Sequence, residues 1–295
     1  MALVLLNPNA RGGRTAGLAA PLADWLRTHA PDSTLQAPPG IAAARQAIAD
    51  TAAERVVVVG GDGTLHQLLP ALHARSCPVG LVPAGSGDDT ARAWGLRGLP
   101  WPQALQHALQ APAAPVDLGE AVTAHESRLF VSSLAAGFDA AVAARALAGP
   151  PRLAGLLRYL WATLQELRDL RLHELQVTVD GRAVHAGPAL FASTLLTPSY
   201  GGGMPAAPAA RIDDVRLDLL LAGRFGRAAA LAMLPRLLAG AHLSHPRVQL
   251  HPFTQARLSA APPLPLAADG EPMAAAAQVQ LRVLPAALRA VRRAS

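Results

Sequence analysis

The chain of 295 residues contains no lysine, so all 26 of its basic side chains are arginine. That absence removes several common chemistries. A Walker-type phosphate loop and the strand of a protein kinase each need a lysine. A pyridoxal Schiff base needs one too. Phosphate chemistry on this chain has to rely on backbone amides, arginine and metal. The single cysteine, Cys77, excludes an internal disulfide and fits a reducing cytoplasm. Aromatic residues make up only 4%, so the apolar content rests on Ala, Leu and Val. No uninterrupted apolar run approaches the roughly 18 residues of a membrane span. The opening Met1-Ala2-Leu3-Val4-Leu5-Leu6-Asn7-Pro8 lacks a basic leader and is too short for a signal peptide, so it reads as a first β-strand. The ten histidines form no His-Glu-x-x-His motif and no Cys/His cluster, which argues against zinc. Gly85-Ser86-Gly87 has the wrong spacing for a nucleophile elbow.

What is present is globular. The length fits one large domain or two smaller ones, and 51% hydrophobic with 16% charged residues is not a disordered composition. A net charge of +6 suits an anionic membrane surface or nucleic acid, and genomic bias toward arginine is the rival explanation.

The first part alternates strand and helix signals: strands at 2–7, 33–37, 55–59 and 78–82, helices at 15–29, 41–53, 64–75, 88–94 and 101–110. Alternation of this kind predicts a doubly wound parallel α/β domain over 1–115. After Ala111-Pro112-Ala113-Ala114-Pro115 the pattern changes to short β-like runs at 116–122, 127–133, 174–180, 183–186, 189–195, 214–221, 247–251, 255–260 and 277–283. Helical insertions are expected at 138–147, 152–170 and 227–239. Asp180-Gly181 signals a tight hairpin. The Pro/Ala-rich stretch 261–267 reads as a loop. A mostly antiparallel β domain with helical insertions over 116–295 follows, its last segment free to return to the first domain.

Two turns carry chemistry. Val56-Val57-Val58-Val59 runs into Gly60-Gly61-Asp62-Gly63-Thr64 and then a helix-like pattern. Glycines there let a phosphate approach backbone N–H groups at a helix start. Asp62 is suited to the magnesium of a metal–nucleotide complex, and Thr64 to capping and phosphate contact. The rival is an ordinary strand-to-helix turn. A second turn follows at Pro83-Ala84-Gly85-Ser86-Gly87-Asp88-Asp89.

Gly-Gly-Asp-Gly-Thr after a hydrophobic strand resembles the diacylglycerol-kinase-like lipid kinases, a family that includes sphingosine and ceramide kinases. NAD kinases and, in related form, phosphofructokinases share it. Pro83-Ala84-Gly85-Ser86-Gly87-Asp88-Asp89-Thr90-Ala91-Arg92 resembles the lipid-kinase Pro-x-Gly-Thr/Ser-Gly-Asn-Asp-x-Ala-Arg, where NAD kinases differ. Asn7-Pro8-Asn9-Ala10-Arg11-Gly12-Gly13 is similar to the family's first Asn-Pro loop. Gly201-Gly202-Gly203 and Arg211-Ile212-Asp213-Asp214-Val215-Arg216-Leu217-Asp218 resemble its Gly-Gly-Gly loop and Asp-Gly-x-Leu-Asp strand. The resemblance implies a structural magnesium on Asp214 and the carbonyls of Arg211 and Arg216, with a solvated acidic turn as rival. Asp269-Gly270-Glu271 matches the family's Asp-Gly-Glu, which implies the catalytic carboxylate, with a plain β-turn as rival. Phe130 to Ala140 resembles a second-domain motif. Departures are Asp88 for asparagine, His66-Gln67 for asparagine–glutamate, Ser132 for asparagine, Val215 for glycine, and Ala37 in place of a nucleotide-contacting threonine. Asp88 adds negative charge beside a polyphosphate.

The expectation is therefore an ATP-dependent, Mg2+-dependent lipid kinase acting on diacylglycerol or a similar lipid alcohol. ATP is expected in the cleft between the α/β and β domains. Asn7, Gly60, Gly61, Asp62, Gly63, Thr64, Gly85, Ser86 and Asp89 would bind the nucleotide and its magnesium. Arg11 or Arg14 would add positive field, and Glu271, helped by Asp269, would accept the hydroxyl proton. The partner is a lipid at the membrane surface and not nucleic acid, and a homodimer stays open. The location is cytoplasmic and peripheral at the inner membrane face. The segment 145–171, with Arg145, Arg152, Arg158, Arg168 and Arg171, reads as a basic amphipathic helix that either lies on an anionic bilayer or packs on its own domain. The alternatives are NAD-kinase-like phosphorylation of a soluble nucleotide and a non-catalytic nucleotide- or lipid-binding regulator.

Overall fold

The computed structural model describes residues 1–85, 87–150 and 152–293. The chain divides into two compact units. One comprises Met1–Val116 with Ala286–Ser295, the other Asp117–Pro285.

The first unit is α/β. In chain order it contains β1 (Ala2–Leu6), α1 (Ala19–His29), β2 (Thr34–Gln36), α2 (Ile41–Asp50), β3 (Arg55–Gly60), α3 (Asp62–Arg75), β4 (Pro78–Pro83), α4 (Asp89–Ala93) and α5 (Trp101–Gln110). The strands pair in parallel in the order β4-β3-β1-β2. Val56 to Val59 are fully buried, as a parallel strand covered on both faces requires. Val4, Leu6, Val57, Val59 and Val82 meet Leu22, Leu26 and Leu105 of the helices in one core cluster. β1 has β2 on one side and β3 on the other, so the connections leaving β1 and β3 run in opposite directions. That reversal opens a crevice at the carboxyl ends of the two strands, the ligand position of open α/β sheets.

The helix expected at 15–29 is α-helical only from Ala19. Ala10–Leu18 forms a 3-10 turn. Gly12, Gly13 and Gly17 lower helix propensity there. The Thr15 hydroxyl is drawn to the Asn7 carbonyl at 2.6 Å.

The second unit is mostly antiparallel. It contains β5 (Ala114–Val122), β6 (Ser127–Phe130), β7 (Ser133–Ala136), α6 (Phe138–Leu147), α7 (Gly155–Glu166), β8 (His173–Val179), β9 (Arg182–Ala189), β10 (Phe191–Leu195), β11 (Leu217–Ala222), α8 (Arg227–Leu238), β12 (Val248–Phe253), β13 (Gln255–Ala268) and β14 (Glu271–Ala290). The order β12-β11-β10-β7-β13-β14 is antiparallel throughout, with β8 on β13 and β9 on β8. The last residues of β14, from Ala286 on, belong to the first unit, where Arg289 and Ala290 pair in parallel with Pro78 and Val79.

Three expectations are corrected here. The stretch 261–267 is not a loop but the second half of β13. Its prolines coincide with the register shifts between Ser259 and Leu266, where the strand stops pairing with β8 and begins pairing with β7. Proline is tolerated at such irregularities because no ladder donor is needed there. The strand expected at 127–133 is broken at Val131-Ser132, whose amides bond to a side chain instead of a neighbouring strand. The basic segment 145–171 is not one helix. It spans the end of α6, a break, α7 and a 3-10 turn at Leu167–Asp169. Arg145 is held by a short ion pair to Glu166 across α6 and α7.

Candidate functional site

Asn7, Gly60–Thr64 and Ala84–Asp89 follow β1, β3 and β4 directly, so the parallel sheet delivers all three loops to one end. They are tied together by side chains. The Asp62 carboxylate accepts the backbone N–H of Asp89 on Oδ2 and of Thr90 on Oδ1, both at 3.1 Å. It thereby caps α4 from the neighbouring loop while standing in the first turn of α3, near the positive ends of both helices. Asn7 Nδ2 donates to Thr64 Oγ1 at 2.7 Å, and Asn7 Oδ1 accepts the Asn9 N–H at 3.0 Å. Thr64 is buried, with its hydroxyl aimed by Asn7.

Two of the glycines have a packing role. A Cβ at Gly61 would lie 2.7 Å from the Gly85 Cα, and a Cβ at Gly85 would lie 2.7 Å from the Gly61 Cα. The two loops touch backbone to backbone, a distance no side chain permits. Asp88 takes a left-handed conformation, φ 55°, and its Oδ1 accepts the Gly85 N–H at 3.1 Å. Asparagine and aspartate both tolerate that conformation, which accounts for Asp88 standing where the family has asparagine.

Ser86 lies outside the described residues, as does the side chain of Arg11. Arg14 is exposed. Among the described residues Arg92, one helical turn on, brings a guanidinium to the loop carboxylates, with Nε 3.9 Å from Asp89 Oδ1.

Magnesium bound to a nucleotide takes one or two protein carboxylates and fills its shell with phosphate oxygens and water. The loop pair fits that mode. Asp62 Oδ2 and Asp89 Oδ2 both face Gly87, 3.2 and 4.0 Å from where a Cβ would stand. Among the described residues no group of three or more His, Cys, Asp or Glu side chains converges as an all-protein cage would.

In the second unit, Asp269 and Gly270 form the β13–β14 turn with φ 48° and 84°, a two-residue hairpin of left-handed residues. The Asp269 carboxylate accepts three backbone amides: Val131 N–H on Oδ2 at 3.0 Å, and Ser132 and Ser133 N–H on Oδ1 at 2.8 and 3.0 Å. Asp269 therefore locks the turn to the β6–β7 junction. Glu271, half-buried at the start of β14, pairs with Ala268 through its backbone, and its carboxylate makes no hydrogen bond or ion pair among the described residues. α7 packs beside this turn. The Tyr159 hydroxyl lies 3.2 Å from the position of a Cβ at Gly270. The Leu156 N lies 2.6 Å from that of a Cβ at Gly202, so the start of α7 rests on Gly202 where no side chain fits.

The 211–218 turn holds itself with protein donors. Val215 N–H bonds to Asp117 Oδ2 at 2.7 Å and Arg216 N–H to Asp214 Oδ1 at 3.2 Å. Asp214, Arg211 and Arg216 are exposed. Burial, reinforced by the charge of Asp214 and opposed by that of Arg216, pushes the Asp218 carboxyl above its usual range. Val215 sits at φ 62°, a costly conformation for a β-branched side chain where the family carries glycine.

A buried polar cluster was not legible as a cluster, although Asp139 lies within the Phe130 to Ala140 motif. Asp139, at the start of α6, accepts the Tyr200 hydroxyl at 2.7 Å and the Ser193 hydroxyl at 2.9 Å, both on Oδ2. The residue keeps some exposed surface, but its carboxyl group is enclosed. That burial pushes it up to about 6, against the two hydroxyls that hold the charge down. Its partners lie 54 and 61 residues away, beyond the reach of any local pattern.

Glycine loops at the carboxyl ends of a parallel sheet, with a carboxylate hairpin on an antiparallel sheet, define the two-unit kinase architecture of lipid and NAD kinases. Residues 1–121 match the model of the diacylglycerol kinase catalytic domain, and residues 132–292 match that of the YegS C-terminal NAD kinase beta sandwich-like domain. A diacylglycerol kinase of Mycobacterium tuberculosis is 30% identical over 242 residues, covering 81% of this chain and 77% of the relative. The crystal structure of a diacylglycerol kinase from Bacillus anthracis superposes with a TM-score of 0.73 at 16% identity, covering 99% of this chain and 96% of the other. An NAD kinase from Archaeoglobus fulgidus, solved in complex with ATP, gives 0.53 at 13% identity over 96% and 90% of the two chains. The chain belongs to the diacylglycerol-kinase-like lipid kinases, phosphotransferases with an alcohol group as acceptor.

Proposed function

We propose that the chain transfers the γ-phosphate of ATP to the hydroxyl of diacylglycerol or a similar lipid alcohol, in a Mg2+-dependent reaction at the cytoplasmic face of the membrane. The observation that carries the catalytic assignment is the contrast within Asp269-Gly270-Glu271. Asp269 is committed to three backbone amides, and the carboxylate of Glu271 beside it has no partner among the described residues. Asp269 is then a positioning residue and Glu271 the proton acceptor.

As the lipid oxygen bonds to the γ-phosphorus, its proton passes to a Glu271 oxygen. The bond from the γ-phosphorus to the bridging oxygen breaks, and ADP leaves. The backbone of Gly60, Gly61, Gly63 and Gly85 cradles the phosphates, with the Thr64 hydroxyl set by Asn7 and with Ser86 as a further donor. Asp62 and Asp89 hold the nucleotide's Mg2+, which supplies charge neutralisation. Phosphoryl transfer depends chiefly on such positioning and electrostatics. Arg92 takes the place that a lysine fills in other phosphate sites. Asp214, with the carbonyls of Arg211 and Arg216, would hold a second, structural Mg2+, which would add positive charge beside Asp214 and Asp218. The acceptor class is supported by the similarity to a diacylglycerol kinase of Mycobacterium tuberculosis.

Incubating the purified protein with labelled ATP, Mg2+ and a panel of lipid alcohols plus NAD tests the reading. Label in a lipid phosphate is expected. Label in NAD overturns the lipid acceptor, and ATP binding without transfer to any acceptor overturns catalysis.

A further inference from the structure

Apart from Arg227 and Arg236, every residue of α8 is apolar, and none is buried. A helix that is hydrophobic on all sides normally lies inside a protein or against a membrane. α8 satisfies only one face internally. Ala230, Met233 and Leu237 pack on a core cluster that includes Leu220 and Phe225. On the outer surface Leu231 is 47% exposed and Leu238 39%, and seven residues apart they share one side of the helix. Leu243, just beyond the helix, is 37% exposed.

The charge around this stripe is mainly positive. No Asp or Glu occurs between Asp218 and Asp269. Arg224, Arg227, Arg236 and Arg247 are all exposed. The 3-10 turn Leu167–Asp169, which packs on α8, adds Arg168 and a single exposed acid, Asp169. A leucine stripe flanked by arginine complements an anionic lipid surface, where apolar side chains enter the headgroup–acyl boundary and guanidinium groups meet phosphates. A second copy of the chain is a poorer occupant. A two-fold contact through α8 would set its arginines against the same arginines, with no carboxylate on the helix to pair them.

We propose that α8 is a bilayer-docking helix, laying Leu231 and Leu238 into a membrane that carries anionic lipid, with Arg224, Arg227 and Arg236 on lipid phosphates. It rests on the lipid-kinase reading only in that this reading places the acceptor in a bilayer. The docked helix would keep the enzyme on the surface from which it draws its acceptor.

The test is co-sedimentation of the full chain with phosphatidylcholine vesicles with and without phosphatidylglycerol. Binding is expected only to the anionic vesicles. Leu231→Asp with Leu238→Asp should weaken it roughly tenfold or more, from the burial each leucine loses. Arg227→Gln with Arg236→Gln should weaken it by about fivefold or more per charge. Wild-type binding that ignores phosphatidylglycerol, or a leucine variant that binds like wild type, overturns the proposal. So does a dimer on analytical ultracentrifugation that the leucine variant abolishes while vesicle binding persists. Both proteins are also assayed on dispersed short-chain diacylglycerol. Equal activity there with lost vesicle binding supports docking. No transfer by either protein defeats the kinase reading and leaves the vesicle result to decide docking alone.

Discussion

The two units solve the same problem, holding a carboxylate in place, by opposite means. In the first unit Asp62 reaches donors 27 and 28 residues away, across one strand–helix–strand repeat. In the second, Asp269 reaches donors 136 to 138 residues away. A parallel sheet collects successive loops at one end, so its site is nearly contiguous in sequence. In the antiparallel sheet β7 pairs with β13, more than a hundred residues on, so the polar cluster at their ends assembles only when the whole unit is folded. The first unit's glycines therefore read as a motif, and the second unit's Asp139–Ser193–Tyr200 cluster does not.

The sharpest way to break this comparison is to separate chemistry from architecture. Glu271→Ala should lower kcat roughly a hundredfold or more while leaving thermal unfolding close to wild type, as loss of a general base does. A variant that turns over within a few-fold of wild type would remove Glu271 from the reaction. Gly61→Ala tests the opposite kind of residue. Its added methyl meets the Gly85 backbone, so it should cost about 1–3 kcal/mol of stability and weaken ATP binding together. Wild-type stability in that variant, read by denaturant titration, would mean that the loops part freely.

The smaller effect concerns Asp139. Its carboxyl is pushed up to about 6 in the folded protein, above the ordinary value, so the folded state retains a proton that the unfolded state has lost. Its contribution to stability is complete at the acid end and is lost as pH rises from about 4 through about 6. Asp139→Asn should flatten that part of the stability–pH curve and leave the variant relatively more stable at pH 8, by at most about 3 kcal/mol. An unchanged curve would show that Asp139 is solvated in solution.

Much of this was legible beforehand, for identifiable reasons. The all-valine run of β3 and the helix of α5 follow from period and length, and α5 starts and stops where the pattern did. The 261–267 stretch misled because proline normally punctuates loops, and only the exchange of strand partners explains proline inside β13. The 145–171 segment misled because two helices packed on one another carry the same apolar period as one long helix. The aspartate of the Asp-Gly-Glu turn carried a chemical expectation, and the fold uses both of its oxygens for architecture.

The residue order by itself determined the α/β-then-β class, the two glycine turns and the exclusion of lysine-based phosphate chemistry. Those depend on local period, on backbone freedom at glycine and on composition, all of which survive in an unfolded chain. Only the tertiary structure decided that Asp62 clamps the second loop, that Asp269 is committed while the Glu271 carboxylate has no partner among the described residues, and that α8 shows Leu231 and Leu238 to solvent. Each of these depends on which distant backbone groups have been satisfied and which apolar surface has been covered, and that is settled only when the chain packs.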